Sequence, residues 1–197
     1  MKILITGFAP FDNEKLNASY EAVKRLKEKI NNFKVIKKEL STSFIKSVKE
    51  LDGLLEQENY DFVICVGQAE NRDYISLEKV GLNLMEARIK DNDGYQPEDK
   101  KIHKDGDLAY FSNLNLKYLK EKLKEVNISS KISSTAGTFV CNTTLYHLLY
   151  LINKEGCKFK AGFIHVPPLS SQRKDSQTSM DVEEIVLALE TVISNLS

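Results

Sequence analysis

The 197-residue chain has no tryptophan, four prolines, three histidines and three cysteines, and its 28 basic residues are balanced by 28 acidic ones. Each scarcity removes a class of function. With no net charge there is no basic field to attract a nucleic acid or an anionic membrane surface, so neither is expected as a partner. No apolar run approaches the length that spans a bilayer. The opening MKILITGFAPF breaks at Gly7 and Pro10 without a small-residue cleavage pattern and reads as a first strand, not a signal peptide. Cys65, Cys141 and Cys157 are odd in number and lack CxxC spacing. That argues against a disulfide framework and a zinc site, and it fits a reducing cytoplasm. No metal or organic cofactor is expected.

What is present reads as one domain over residues 1–197, because an apolar fraction of 42% and a charged fraction of 28% exclude disorder and fibrous classes. Short β-rich runs alternate with segments of helical period, the pattern of an α/β fold. Strands are expected at Lys2–Phe8, Phe33–Leu40, Asp61–Gly67, Tyr74–Leu84, Lys131–Thr135 and Lys160–Val166. DFVICVG and AGFIHV are nearly continuous in apolar residues, as in strands covered on both faces. A first helix begins near Asn17 or Ser19 and puts Ala22, Leu26 and Ile30 on one stripe. Further stripes carry Phe44, Val48, Leu51 and Leu55, then Leu116, Leu119, Leu123 and Val126, then a helix after Cys141, and last Val182, Ile185, Leu189, Val192 and Leu196. The segment Arg88–Asp107 has no apolar period and reads as a long surface loop, either a binding loop or a solvated excursion.

Cys141 shares a helical face with Leu145, Leu148 or Leu149, and Ile152, so one reading makes it a small apolar residue on a buried stripe. The preceding SSTAGT supports another. A Gly/Ser/Thr turn from strand into helix would place the thiol in the first helical turn, where unpaired N–H groups and the helix dipole favour thiolate and could receive an oxyanion. A nucleophilic thiol needs a base, and the choice is among His103, His147 and His165. His147 follows by six positions and points about 120° away around the helix. His103, between Lys101 and Lys104 in the polar loop, is most simply solvated. His165 ends an apolar strand, where α/β sheets place their sites, although a satisfied core histidine would look the same. In ISLEKVGLNL the alternation aligns Glu78 with Ser76, Val80, Leu82 and Leu84. A carboxylate on an apolar face needs a partner, unless the strand bulges near Lys79 and exposes it. As a partner of His165 it would fix the imidazole tautomer.

Five stretches occur together in order: GFAPFDNEKLNAS, CVGQAENR with ISLEKVGLN, ARIKDNDGYQP, AGTFVCN and GFIHVP. In this the chain resembles the pyroglutamyl peptidase I (pyrrolidone-carboxylate peptidase) family from about Lys2 to about Gln172. The resemblance implies a cytoplasmic cysteine peptidase, an omega-peptidase that hydrolyses the amide bond after an N-terminal pyroglutamyl residue. It implies a single-domain three-layer αβα sandwich with a mixed, largely parallel twisted sheet, and commonly a homotetramer. The family's nucleophile falls on Cys141, its base on His165 and its carboxylate on Glu78. Its pocket positions fall on Phe8, Phe11, Gln68 and Val140, and a family arginine near the site matches Arg88.

Pyroglutamate is a neutral lactam, so aromatic walls and a few amide partners suffice to hold it. Phe8 and Phe11 could sandwich the ring or simply pack the end of a strand, and Gln68 could bond the lactam or cap a turn. The chain departs from the family's usual residues at Ala18, where Asn17-Ala18-Ser19 stands for the usual NPS, at Glu70 and Asn71 beside the ring pocket, at Lys90 and Tyr95, and at Ser170 and Ser171. Two other readings keep the same residues: an amidase acting on another small lactam or acyl group, and a non-catalytic binder that retains the fold.

Overall fold

Alternation along Lys2–Phe8 builds both cores of the protein. In the computed structural model, which describes residues 1–12, 14–173 and 178–197, this strand (β1) turns Ile3 and Ile5 to one helical layer and Leu4 and Phe8 to the other. The remaining strands are β2 (Lys29–Ile30), β3 (Phe33–Leu40), β4 (Phe62–Gln68), β5 (Ile75–Glu78), β6 (Val80–Leu82), β7 (Ala109–Phe111), β8 (Ser130–Ser133) and β9 (Lys160–Val166). Seven form one mixed sheet in the order β2-β3-β1-β4-β9-β5-β8, parallel except where β2 meets β3 and β5 meets β9. Helices α1 (Ala18–Val23), α3 (Leu116–Glu125) and α5 (Val182–Ser194) cover the Ile3 face. Helices α2 (Phe44–Gln57) and α4 (Val140–Asn153) cover the other. The α/β sandwich expected from the sequence is the fold observed. No helix among the described residues is long and apolar enough to cross a membrane.

Two expected elements are cut short, each for a visible reason. The first helix ends at Val23 and not beyond Ile30, because Lys29–Ile30 pairs antiparallel with β3 as an edge strand. Lys37 Nζ donates to the carbonyls of Lys24 and Leu26 there, and Ala22, Leu26 and Ile30 still reach the same core. The long strand Tyr74–Leu84 is two strands. Glu78 ends β5, the Lys79 N–H still donates to Ser133 O, and the chain then leaves for a separate ribbon in which β6 pairs with β7. Helix α4 forces the departure: a Cβ on Gly81 would lie 2.9 Å from Tyr146 Cα.

Helix α1 presses equally hard on β1, where a Cβ on Gly7 would come within 2.5 Å of the backbone of Tyr20. The contact fixes the end of β1. Ser19 Oγ accepts from the Phe8 N–H at 3.0 Å, Asn17 Oδ1 accepts from Ser19, and Asn17 Nδ2 donates to Ala9 O. Gly7→Ala is expected to lower unfolding free energy by about 1–3 kcal/mol, the usual cost of overpacking. Urea denaturation measures it, and an unchanged midpoint would contradict this approach of helix to strand.

Candidate active site

The turn between β8 and α4 prepares the thiol's position. Gly137 adopts φ +80°, a left-handed conformation that costs a side-chain-bearing residue, and its N–H donates to Thr135 Oγ1 at 3.0 Å. Thr138 and Glu86 exchange two bonds, Thr138 Oγ1 to Glu86 O at 2.7 Å and Glu86 N–H to Thr138 O at 3.1 Å. Phe139 then begins α4 without a side-chain cap, and the Thr143 N–H closes the first turn on Phe139 O. Val140, Cys141 and Asn142 therefore occupy the turn whose N–H groups find no carbonyl within the helix. Asn142 anchors this end: its side chain accepts from Leu82 N and donates to the carbonyls of Leu82 and Leu84.

Cys141 is only partly buried as a residue, but its sulfur lies directly over the sheet. A Cβ on Gly67 would sit 2.9 Å from Sγ and 2.8 Å from the Phe163 ring. Gly67 is level with His165 on the neighbouring parallel strand, with strands about 4.8 Å apart. Phe163 and His165 are two residues apart and share a face, so the sulfur occupies the side from which the imidazole projects. Bareness at residue 67 makes that proximity possible.

Behind the imidazole, His165 Nδ1 lies 2.8 Å from Glu78 Oε1, and Arg72 Nη1 donates to the same oxygen at 2.5 Å. Glu78 has no exposed surface, and its Oε2 has no hydrogen-bond partner among the described residues. An ionised carboxylate only accepts, so Nδ1 carries the proton and Nε2 keeps its lone pair. Burial pulls the Glu78 carboxyl upward, but its bonds from His165 and Arg72 outweigh this and hold it below the usual carboxylate range. Burial lowers the His165 pKa, Arg72 adds to that, and Glu78 opposes it only in part. Burial, aided by the charge on Glu78, pushes the Cys141 thiol up to about 12. The helix terminus was expected to favour thiolate; here desolvation wins, and the resting pair is neutral thiol and neutral imidazole.

The thiol opens into a narrow cavity of about 60 Å³ lined by Phe8, Phe11, Gln68, Phe139 and Val140, with Asn17 and Thr42 completing it. Common ligand pockets hold 300–1,000 Å³, so this one suits a small acyl group. Phe8 stacks tilted against Phe163 and Phe11 against Phe139, with centroids 6.2 and 6.4 Å apart. Arg88 is not in this cavity. It is exposed and lines a neighbouring one with Glu86, Gln96 and Glu98, and Thr138 borders that cavity three residues before Cys141.

The other histidines are elsewhere. His147 faces away from the thiol and bonds Asp52 at 2.8 Å. His103 is not solvated as its sequence neighbours suggested: it stacks on Tyr150 at 3.7 Å and meets His147 at 2.9 Å. The strand ends at Glu78 and does not bulge, and the carboxylate stays buried. Among the described residues no cluster of three or more His, Cys, Asp or Glu could hold a metal ion.

A family model described as pyroglutamyl peptidase matches residues 1–197. The chain belongs to the pyroglutamyl peptidase family. It is 50% identical over 195 residues to the pyrrolidone-carboxylate peptidase of Brachyspira hyodysenteriae, covering 98% of this chain and 97% of the other. It is 48% identical over 191 residues to that of Thermosipho melanesiensis, covering 96% and 95%. A crystal structure of pyroglutamyl peptidase I from Bacillus amyloliquefaciens superposes with a TM-score of 0.93 at 38% identity, over 97% of this chain and 92% of that one. Family membership makes the protein a hydrolase of the cysteine omega-peptidase class.

Several residues of this pyroglutamyl peptidase family member escaped the sequence reading. In the sequence Arg72 stands out only as part of CVGQAENR, although a buried Glu78 signals a need for a nearby cation. Phe139 stands two residues before Cys141 and walls the cavity, T-shaped against Phe44 at 5.0 Å. Asn142, beside the thiol, had no signal in the sequence, because its partners lie 60 residues away. Filling the bare position should be costly: Gly67→Ala is expected to cut turnover of a pyroglutamyl amide by about 100-fold, since a displacement near 1 Å has that effect. A steady-state assay with near wild-type kcat/KM would remove Gly67 from the account.

Proposed function

We propose that this chain removes N-terminal pyroglutamate from peptides, with Cys141 as nucleophile, His165 as general base and acid, and Glu78 as the group that orients His165. The observation that carries this reading is the buried Glu78–His165 bond of 2.8 Å beside the Cys141 sulfur at the mouth of a small aromatic cavity. In it, Phe8, Phe11 and Val140 enclose the lactam ring and Gln68 supplies an amide partner. Arg88, in the adjoining cavity across Thr138, is assigned to substrate binding outside the ring pocket.

The chemistry follows from the neutral resting pair. His165 Nε2 takes the proton from Cys141 Sγ as sulfur bonds to the pyroglutamyl carbonyl carbon, and the carbonyl oxygen becomes an oxyanion facing the uncapped N–H groups of α4. Glu78 stabilises the imidazolium so formed. His165 then gives its proton to the departing amine as the C–N bond breaks, leaving a thioester. Water, deprotonated by His165, hydrolyses the thioester and restores the thiol. No charged group is needed for the substrate's terminus, because a lactam has no free amine.

A cytoplasmic site of action is part of the reading, supported by three free cysteines, and the substrate partner is a peptide with N-terminal pyroglutamate. A homo-oligomer, a tetramer by family resemblance, is supported by Leu108 and Phe111, which are 81% and 63% exposed at the β7 ribbon.

Cys141→Ala is expected to reduce release of a chromophoric amine from a pyroglutamyl amide by at least about 1,000-fold under reducing conditions, without changing the fold. Retained turnover would overturn the assignment of the nucleophile. The pH profile gives a second test. Only neutral His165 can accept the proton, and its pKa is lowered, so kcat/KM should stay high until below the ordinary histidine value near 6.5. Glu78→Gln removes the group that raises the imidazole pKa and leaves Arg72 beside it. Its acid limb should therefore move to lower pH while kcat/KM falls by about 100- to 10,000-fold. A limb moving to higher pH would contradict the role given to Glu78.

A further inference from the structure

Gln68, the last residue of β4, has its amide orientation fixed by its surroundings. The Ala18 N–H can only donate, and it does so to Gln68 Oε1 at 2.8 Å, so the oxygen end of the amide is settled. Nε2 donates one of its protons to Glu70 Oε1 at 3.0 Å. The other Nε2–H has no acceptor among the described residues, and Gln68 lines the Cys141 cavity. Glu70 is itself held: its second carboxylate oxygen pairs with the Arg173 guanidinium, which also reaches Glu14 Oε1 at 3.3 Å. Arg173 follows a short 3₁₀ turn, Ser170–Gln172, that is pinned across the entry to α1 by Gln172 Nε2 on Leu16 O.

We propose that Glu70, steadied by Arg173, is a positioning residue that holds the Gln68 amide so that its free N–H meets the ring carbonyl of a lactam substrate. This rests on the function proposed above and names the basis of its selectivity. A 5-oxo ring brings an acceptor to that donor, whereas a proline-like ring without the carbonyl leaves the amide N–H unpaired in a nearly closed site. Glu70 is half exposed, so its pairing with the more enclosed Arg173 is partly screened by solvent, and loss of the Glu70 carboxylate should appear more in substrate binding than in the melting temperature.

The test is steady-state kinetics on a pyroglutamyl amide with Glu70→Ala, Glu70→Gln, Arg173→Ala and the double alanine variant. Glu70→Ala is expected to raise KM about fivefold with kcat within about twofold, the effect of one lost hydrogen bond. Glu70→Gln keeps an acceptor for Gln68 Nε2 and should restore KM to within about twofold of wild type. Because Arg173 acts through Glu70, the double variant should be no worse than Glu70→Ala. An unchanged KM in Glu70→Ala, a Glu70→Gln variant as impaired as the alanine, or additive losses in the double variant would overturn the proposal. A second readout separates it from the proposed activity: the concentration of 2-pyrrolidone that halves iodoacetamide labelling of Cys141 should rise by the same factor in Glu70→Ala. If wild type turns over no pyroglutamyl amide but the protecting concentration still rises from wild type to Glu70→Ala, the activity fails and the positioning role stands. If 2-pyrrolidone gives wild-type Cys141 no protection, the positioning role fails.

Discussion

A carboxylate without exposed surface is the constraint on which the rest of the site depends. Removing an ion from water costs several kcal/mol, and Glu78 offsets this only because an imidazole and a guanidinium converge on one of its oxygens. The arrangement requires β5 to lie between β8 and β9 and to run antiparallel to β9, which sets Glu78 level with Phe163 and Ser76 level with His165. It also requires β5 to end at Glu78, so that the chain can turn away beneath α4. The antiparallel intrusion into a mostly parallel sheet is the geometry that lets a carboxylate approach the imidazole from the side opposite β4.

The Cys141 side of the site obeys a different rule, close approach. Gly67 gives its side-chain space to the sulfur, Gly81 lets α4 lie on β6, and Gly137 makes the turn that starts α4. Asn142 then ties that helix end to the β6 backbone. The helix terminus offers donors to a developing oxyanion, while burial keeps the thiol protonated at rest. These two effects are compatible, since preorganised donors matter most when charge appears during reaction and not before.

Much of this was legible in the sequence where a signal is local. Periodicity gave β1, β3 and β9 with their bounds and the apolar stripe of α2, and a charge set among apolar residues singled out Glu78. Local signals failed where a distant element decides. Nothing in Tyr74–Leu84 announces that a helix more than fifty residues later will split it, and a two-residue edge strand such as Lys29–Ile30 is too short for any period to register. His103 looked solvated among lysines because its partners, Tyr150 and His147, come from a helix over forty residues away. Arg72 is hidden for a subtler reason: a fully buried charge calls for a second partner beside His165, but nothing local in CVGQAENR says which cation supplies it.

The claim at the centre of the account is that burial keeps His165 a neutral imidazole while Glu78 fixes its proton on Nδ1, leaving a free lone pair on Nε2. Nitrogen NMR of the histidine-labelled protein measures this directly, with only three histidines to assign. The account predicts a protonated Nδ1 and an unprotonated Nε2 at neutral pH, with the second proton gained only below the ordinary histidine range. A His165 protonated on both nitrogens at neutral pH, or on Nε2 alone, would contradict it.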